Sequence, residues 1–343
     1  MLRVGRAQVE KVRAAKAPED LYDVVQSAIE LEHATIPTYL CAYFTLQIGS
    51  NQVVAEIIRS IVVEEMLHMS LASNLLIALG GSPEIDKPGF IPVYPGPLPM
   101  DIGDGLIVPL EKCSLDLVKN IFMVIEEPED PLVLRAALAA NQHTIGEFYA
   151  ALDLKLQELG QKAFIGNFKN EMLDNTWFPP DELFVIDGPK SASAAIKLIV
   201  QQGEGSTKSP VGPHDVPAHY YRFEQIIRGK RLVHDATAPY GFSFSGADVT
   251  LEDDRIWNMQ PNPDPDKLPA GSRARQKSLE FANAYTRLLD VLHDTFNGDP
   301  SAMNRAMGMM YELRLLSQQV LAIEVPGSPG VSTGLSFRYQ PSL

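Results

Sequence analysis

VVEEMLHMSL, residues 62–71, lies in an apolar run of helical period, yet it carries two adjacent glutamates and a histidine. Residues three apart on a helix share a face, so Glu65 and His68 form an E-x-x-H pair whose carboxylate and imidazole can converge on one point. Glu64 stands about a hundred degrees round the helix from Glu65 and reads as a supporting or surface group. One E-x-x-H recurs by chance. Its meaning depends on what other segments place opposite it.

Working outward, IELEHATIPTYL brings Glu32 into a helix among Ile36 and Leu40, while Glu30 falls on the other side and reads as solvent-facing. His33 takes a different face from Glu32, which suits hydrogen bonding better than ligation. Downstream, NQHTIGEFYAAL offers Glu147, flanked by Ile145, Phe148 and Ala151, with His143 one turn earlier as a rival. Glu204 closes a later helix and His219 opens the next, so a second Glu–His pair would be split across a break. Glu32, Glu65, Glu147 and Glu204 together carry four negative charges. Gathered in an apolar interior they repel, each at a desolvation cost of several kcal/mol. Two divalent ions, with His68 and His219 as neutral ligands, bring the sum to zero; one ion suffices if Glu147 or Glu204 faces elsewhere. Carboxylate and imidazole donors suit iron or manganese better than copper or structural zinc.

The surrounding pattern is helical, and strand signals are few. Helices are expected from about Pro18 to Gln47 (Asp20 as cap, Pro37 as a kink), Gln52 to Leu79 stopping at Gly80-Gly81, a short one capped by Ser114 and ended by EEPEDP, and Leu132 to Leu159. Further ones are SASAAIKLIVQQG, AHYYRFEQIIRGKRL and two amphipathic segments over 276–296 and 300–323, with Asp299 as a cap between them. The Pro/Gly-rich stretch 82–110 reads as a loop laid over the bundle, its Phe90 and Tyr94 able to wall a pocket. The expected organisation is a single all-α domain: a four-helix bundle over about 19–230, an irregular loop at 231–275, a helical extension at 276–325 and an extended tail at 326–343.

Bulk properties exclude several classes. The 343-residue chain is 45% apolar and 21% charged, with a formal charge of −14. That balance disfavours nucleic acid and anionic membranes as partners. No uninterrupted apolar run of membrane-spanning length stands out, and the basic N-terminus lacks a secretory core, so a cytoplasmic location is expected. Cys41 and Cys113 form neither a disulfide framework nor a zinc pattern. No phosphate-binding glycine loop and no G-x-S-x-G elbow occurs. The Met-rich segment 302–313 reads as adaptable core packing.

IELEHATIPTYL, VVEEMLHMSLASNLL, TIGEFYAAL, QQGEGS and AHYYRFEQI, with WNMQPNPDPDKLPAGS, FNGDP and STGLSFRY further on, resemble the ferritin-like domain of the iminophenyl-pyruvate dimer synthase family. The resemblance runs from about residue 20 to 340. It implies a ferritin-like four-helix bundle with long irregular loops and extra C-terminal helices, and metal ligands at Glu32, Glu65, His68, Glu147, Glu204 and His219. It also implies oxidative coupling of arylpyruvate imines.

The function expected from these readings is a non-haem metal oxidase or oxygenase using iron or another divalent metal, one or two ions, on a small organic substrate. Tyr39 and Tyr43, about two and three turns beyond Glu32, are candidates to line the site or carry a hydrogen bond or radical. The contrasting reading is a metal-binding protein without catalysis. A homo-oligomer is compatible with either.

Overall fold

The computed structural model describes residues 3–101, 105–128, 143–174, 176–203 and 209–340. Two long antiparallel helices form its centre. α1 is Arg6–Ala14, α2 is Tyr22–Thr45 and α3 is Gln52–Ala78. α2 and α3 pack along each other, and each is apolar on most of its circumference, as expected of a helix surrounded by others. A 3₁₀ turn, Pro18–Leu21, leads into α2. There the Asp20 carboxylate accepts from the N–H groups of Lys16 and Ala17, at 2.8 and 3.1 Å. Asp20 thus caps the lead-in turn rather than α2 itself. α2 continues through the buried Pro37. α3 stops where Gly80 adopts φ +94° and its N–H bonds the Ile77 carbonyl, a left-handed ending that glycine adopts without strain. By length and hydropathy α3 could cross a membrane, but 83% of its most apolar window is buried inside this protein.

The helix α4, residues 115–125, starts at Ser114, whose Oγ accepts from the Leu117 N–H at 3.1 Å. Its middle, Val118–Phe122, is a π-helical turn. α5 is Ile145–Leu159, α6 Pro189–Gly203, α7 His219–Arg228, α8 Arg273–Phe296 and α9 Met303–Leu321. The long helix expected from Leu132 begins only at Ile145 within the described residues, because Thr144 caps it; residues 132–142 lie outside them. A two-residue strand β1 (Arg3–Val4) pairs antiparallel with β2 (His143–Thr144). The irregular stretch after α7 contains β3 (Val233–His234), paired antiparallel with β4 (Phe242–Ser243). α8 and α9 form a hairpin packed on α2 and α3. The tail crosses α8, with Phe337 edge-on to Phe281 and Tyr285. Cys41 and Cys113 are both buried and unlinked.

One buried carboxyl in the loop between α5 and α6 has a measurable signature. Glu171 accepts from the Ile186 N–H at 2.7 Å, and its other oxygen has no partner. Burial outweighs that hydrogen bond and pushes the carboxyl up to about 8. Because the folded value lies above the unfolded one of about 4.3, the proton favours the folded state at low pH, and this contribution fades as pH rises through the folded value. Glu171→Gln is therefore expected to raise Tm at about pH 9 and leave it nearly unchanged at about pH 4. Paired thermal scans of both proteins at the two pH values check this.

Candidate metal centre

Five buried side chains from four helical segments meet between the bundle helices. α2 supplies Glu32, α3 supplies Glu65 and His68, the end of α4 supplies Glu126, and the first residue of α7 supplies His219. All five are under 10% exposed, and His219 is wholly buried. They form two overlapping triplets, Glu32–Glu65–His68 and Glu65–Glu126–His219, each with one donor atom per residue lying within 4.8 Å of the others. Glu65 belongs to both.

The carboxylates share one arrangement: one oxygen of each is held by a hydroxyl, and the other faces an imidazole. Tyr149 donates to Glu32 Oε1, Thr35 to Glu65 Oε2 at 2.9 Å and Tyr39 to Glu126 Oε1 at 2.5 Å. On the inner side, His68 Nδ1 lies 3.5 Å from Glu32 Oε2 and 3.9 Å from Glu65 Oε1. His219 Nδ1 lies 2.8 Å from the same Glu65 oxygen and 3.4 Å from Glu126 Oε2. The two rings are nearly parallel, with centroids 5.5 Å apart.

The outer nitrogens fix the rings. His68 Nε2 lies 2.8 Å from Gln202 Oε1, and His219 Nε2 lies 3.0 Å from Glu64 Oε2. An amide oxygen and a carboxylate accept only, so each Nε2 carries a proton and each ring turns Nδ1 inward, the atom whose lone pair a metal would take. Arg222 braces Glu64 from behind and reaches Ser60 Oγ at 2.9 Å. Burial pushes the Glu64 carboxyl up, but His219 and Arg222 together hold it down at about 2.

Charge inside the cluster is unbalanced. Burial, then the neighbouring Glu126, holds the Glu65 carboxyl above its ordinary value. Burial pushes His68 down, yet Glu32 and Glu65 outweigh it and the ring is held above its usual range. His219 is held well above by Glu126, Glu64 and Glu65 despite the same burial. Burial and the adjacent carboxylates push the Tyr39 and Tyr149 phenols far up, so both remain donors. Among the described residues no Lys or Arg pairs with Glu32, Glu65 or Glu126; the neighbours of opposite charge are the two histidines. His219 Nδ1, though close to Glu65, makes no hydrogen bond of acceptable geometry. A buried nitrogen without a hydrogen bond, set beside two carboxylate oxygens, has the chemistry of a metal ligand. The donor set therefore fits a metal.

The structure brings Glu32, Glu65, His68 and His219 together. It puts Glu147 elsewhere. Thr144 starts α5, which makes Glu147 its third residue; the carboxylate reaches back to the Thr144 N–H at 3.0 Å while Thr144 Oγ accepts from the Glu147 N–H at 2.9 Å. This is a capping box on an exposed turn, and two residues on it is Tyr149 that faces the cluster. Glu204 lies outside the described residues. Tyr39 touches the cluster through Glu126, whereas Tyr43 packs its ring under the Arg314 guanidinium, 4.2 Å away. His33 bonds Tyr285 through Nε2 at 2.7 Å. Glu30, half-buried, accepts from Gln26 at 3.3 Å.

Sequence reasoning missed Glu126, Tyr149 and Gln202. A signal existed for the first: Glu126-Glu127 closes an apolar helix at the end where cations are favoured, a local conflict of the kind that marks functional positions. Glu64 also takes a larger part than its helical phase suggests. Glu64→Ala removes the acceptor that orients His219 and leaves Arg222 unpaired. It is expected to weaken metal binding about 10–100-fold, measured by competition titration with a chromophoric chelator.

A helical bundle with three carboxylates and two imidazoles converging in its interior defines the class of carboxylate-bundle proteins. The chain belongs to the ferritin-like family: a family profile described as Ferritin-like matches residues 25–228, and all five cluster residues fall inside that span. A solved structure of a ferritin like protein from Caulobacter vibrioides, at 1.95 Å resolution, shares the fold with a TM-score of 0.57 and 24% identity, over 92% of this chain and 97% of that one. A comparison with curated proteins gave no match.

Proposed function

We propose that the protein is a metal-dependent oxidoreductase whose centre would hold two divalent ions, iron the leading candidate, with Glu65 as the residue common to both sides. The single observation that carries this reading is the doubled triplet: Glu65 presents one oxygen, Oε1, to both histidine nitrogens, while Glu32 and Glu126 each complete one side. Three carboxylates and two neutral imidazoles leave a pair of divalent ions with one uncompensated positive charge, room for one small anionic ligand in the coordination sphere. A bound iron pair would supply electrons and open coordination positions for dioxygen.

The protein's own groups do the rest. Tyr39, Tyr149 and Thr35 tie down one oxygen of each carboxylate and so direct the other inward. Gln202 and Glu64 hold the rings in the ligating tautomer. Leu31, Ile125, Ile145, Ile199 and Val200 wall the pocket at the cluster and limit water; its volume is about 60 Å³. Tyr39 and Tyr149, as protonated phenols within hydrogen-bonding reach of Glu126 and Glu32, are the groups placed to deliver or receive a proton at those carboxylates. This pocket suits water or dioxygen. It is smaller than the ~150 Å³ that holds a benzene molecule, so coupling of arylpyruvate imines, the substrate class the sequence resemblance suggests, requires the walls to move apart.

The test is elemental analysis of protein purified without chelators, followed by oxygen consumption with arylpyruvate imines and with a reductant alone. The expected result is about two equivalents of metal per chain and oxygen uptake dependent on them. A metal-loaded protein that consumes no oxygen with any electron donor would be a binding protein and not an oxidoreductase. Loading should also raise Tm, since the metal binds only the folded state.

A further inference from the structure

A second cavity, of about 260 Å³, lies between the α2–α3 pair and the α8–α9 hairpin. It shares no lining residue with the pocket at the carboxylate cluster. Arg59 and Ser70 both line it and stand eleven residues apart on α3, about 16 Å along the helix axis. The cavity is thus a slot running along α3. Its middle is apolar and methionine-rich, with Leu40, Met66, Met69, Leu288 and Met307 among its walls; such side chains adapt to a flexible chain.

Its two ends are polar. Near Ser70 the wall includes His33 and Trp177. The loop carrying Trp177 is tied to this end of α3 by paired hydrogen bonds between Asn74 and Met172, at 2.9 and 2.8 Å. His33 is 1% exposed; Tyr285 takes its Nε2, and its Nδ1 has no partner. Trp177 Nε1 is likewise buried and unpartnered. Both nitrogens have under 1 Å² of accessible surface, so neither opens on the cavity. At the other end Arg59 makes no ion pair among the described residues. It also walls a polar cleft of about 180 Å³ with Gln47, Ser50 and Arg314, where Arg314 Nη1 is buried without a partner; Glu56, exposed, is the one carboxylate lining that cleft.

We propose that this slot binds a medium-chain carboxylic acid. The carboxylate sits at Arg59, the methylene chain lies along the methionines, and its far end stops against His33 and Trp177. The inference stands on this cavity alone and does not depend on the metal chemistry.

Isothermal titration of the full chain with decanoate, 10-hydroxydecanoate and 1-decanol tests it. Decanoate is expected to bind at least about tenfold tighter than decanol, and 10-hydroxydecanoate about tenfold or more weaker than decanoate, because its hydroxyl is buried at the far end without a free partner. Arg59→Gln should remove the advantage of acid over alcohol. Ala306→Phe and, separately, Leu292→Trp fill the slot and should each weaken both acids by about tenfold or more while metal content stays unchanged. Equal binding of decanol and decanoate to the native protein, 10-hydroxydecanoate bound as tightly as decanoate, undiminished binding in both filled variants, or no binding of decanoate would each overturn the proposal.

Discussion

Glu65→Ala is expected to strip the protein of nearly all its bound metal, a larger loss than any other single substitution in the cluster. The reason is that one oxygen of Glu65 serves both triplets. Removing it takes a ligand from each ion at once and leaves Glu32 and Glu126 facing each other with one negative charge fewer between them. The remaining carboxylates and histidines can still pair, so the fold should survive and Tm should become insensitive to added metal. Glu32→Ala, by contrast, removes a ligand from one side only and should leave about one equivalent. Elemental analysis of the three proteins, purified side by side, separates a shared ligand from two independent sites: equal losses in the two variants would mean that Glu65 does not bridge.

Glu126→Ala and Glu147→Ala are expected to behave in opposite ways. The first takes the inner oxygen from His219 and leaves the Tyr39 hydroxyl, fully buried, with no acceptor. About half the metal should be lost, together with roughly 1–3 kcal/mol of stability from the orphaned phenol. The double change Glu126→Ala with Tyr39→Phe should recover part of that stability and none of the metal. Glu147→Ala removes half of a capping box on an exposed turn, worth about 0.5–1 kcal/mol, and should leave metal content at the native level. Metal loss in Glu147→Ala that matches the loss in Glu126→Ala would restore Glu147 as a ligand and sink the geometry described above.

The contrast between these two glutamates shows where helical arithmetic succeeds and where it stops. Glu32, Glu65 and His68 sit deep inside long, continuous helices, where a period of 3.6 runs unbroken and an acidic group among apolar neighbours must face inward. His219 was legible as a helix-opening residue beside a break. The C-terminal hairpin was legible too, because α8 and α9 are amphipathic and end at clear turns. Glu147 was misjudged because the helix was taken to begin a dozen residues earlier; once Thr144 starts it, Glu147 belongs to the first turn and its carboxylate has a nearer partner than any ion. Glu126 carries a signal in its place at the helix end, but helical phase does not reveal it, for a related reason. It follows a π-helical turn, so counting back from it at 3.6 residues per turn assigns the wrong face. Tyr149 and Gln202 act on ligands rather than as ligands, and nothing in residue type or spacing separates such tyrosines and glutamines from ordinary core and surface ones.

The π-helical turn at Val118–Phe122 also has a bearing on how this centre tolerates change in chain length. Such a turn holds one residue more than an α-helical turn of the same rise. Deleting a single residue there would let the segment relax into a regular α-helical turn over the same rise and keep Glu126 on the face that meets the cluster. A substitution at the exposed Asn120 should be silent, and its excision should leave the metal content close to native, whereas excising one residue from a regular α-helical turn would rotate everything beyond it by about 100°. Relatives aligned with a one-residue gap at this point are then expected to keep their third carboxylate one position closer to the residue matching Ser114, and a search that demands glutamate at a fixed offset from Ser114 would pass over them.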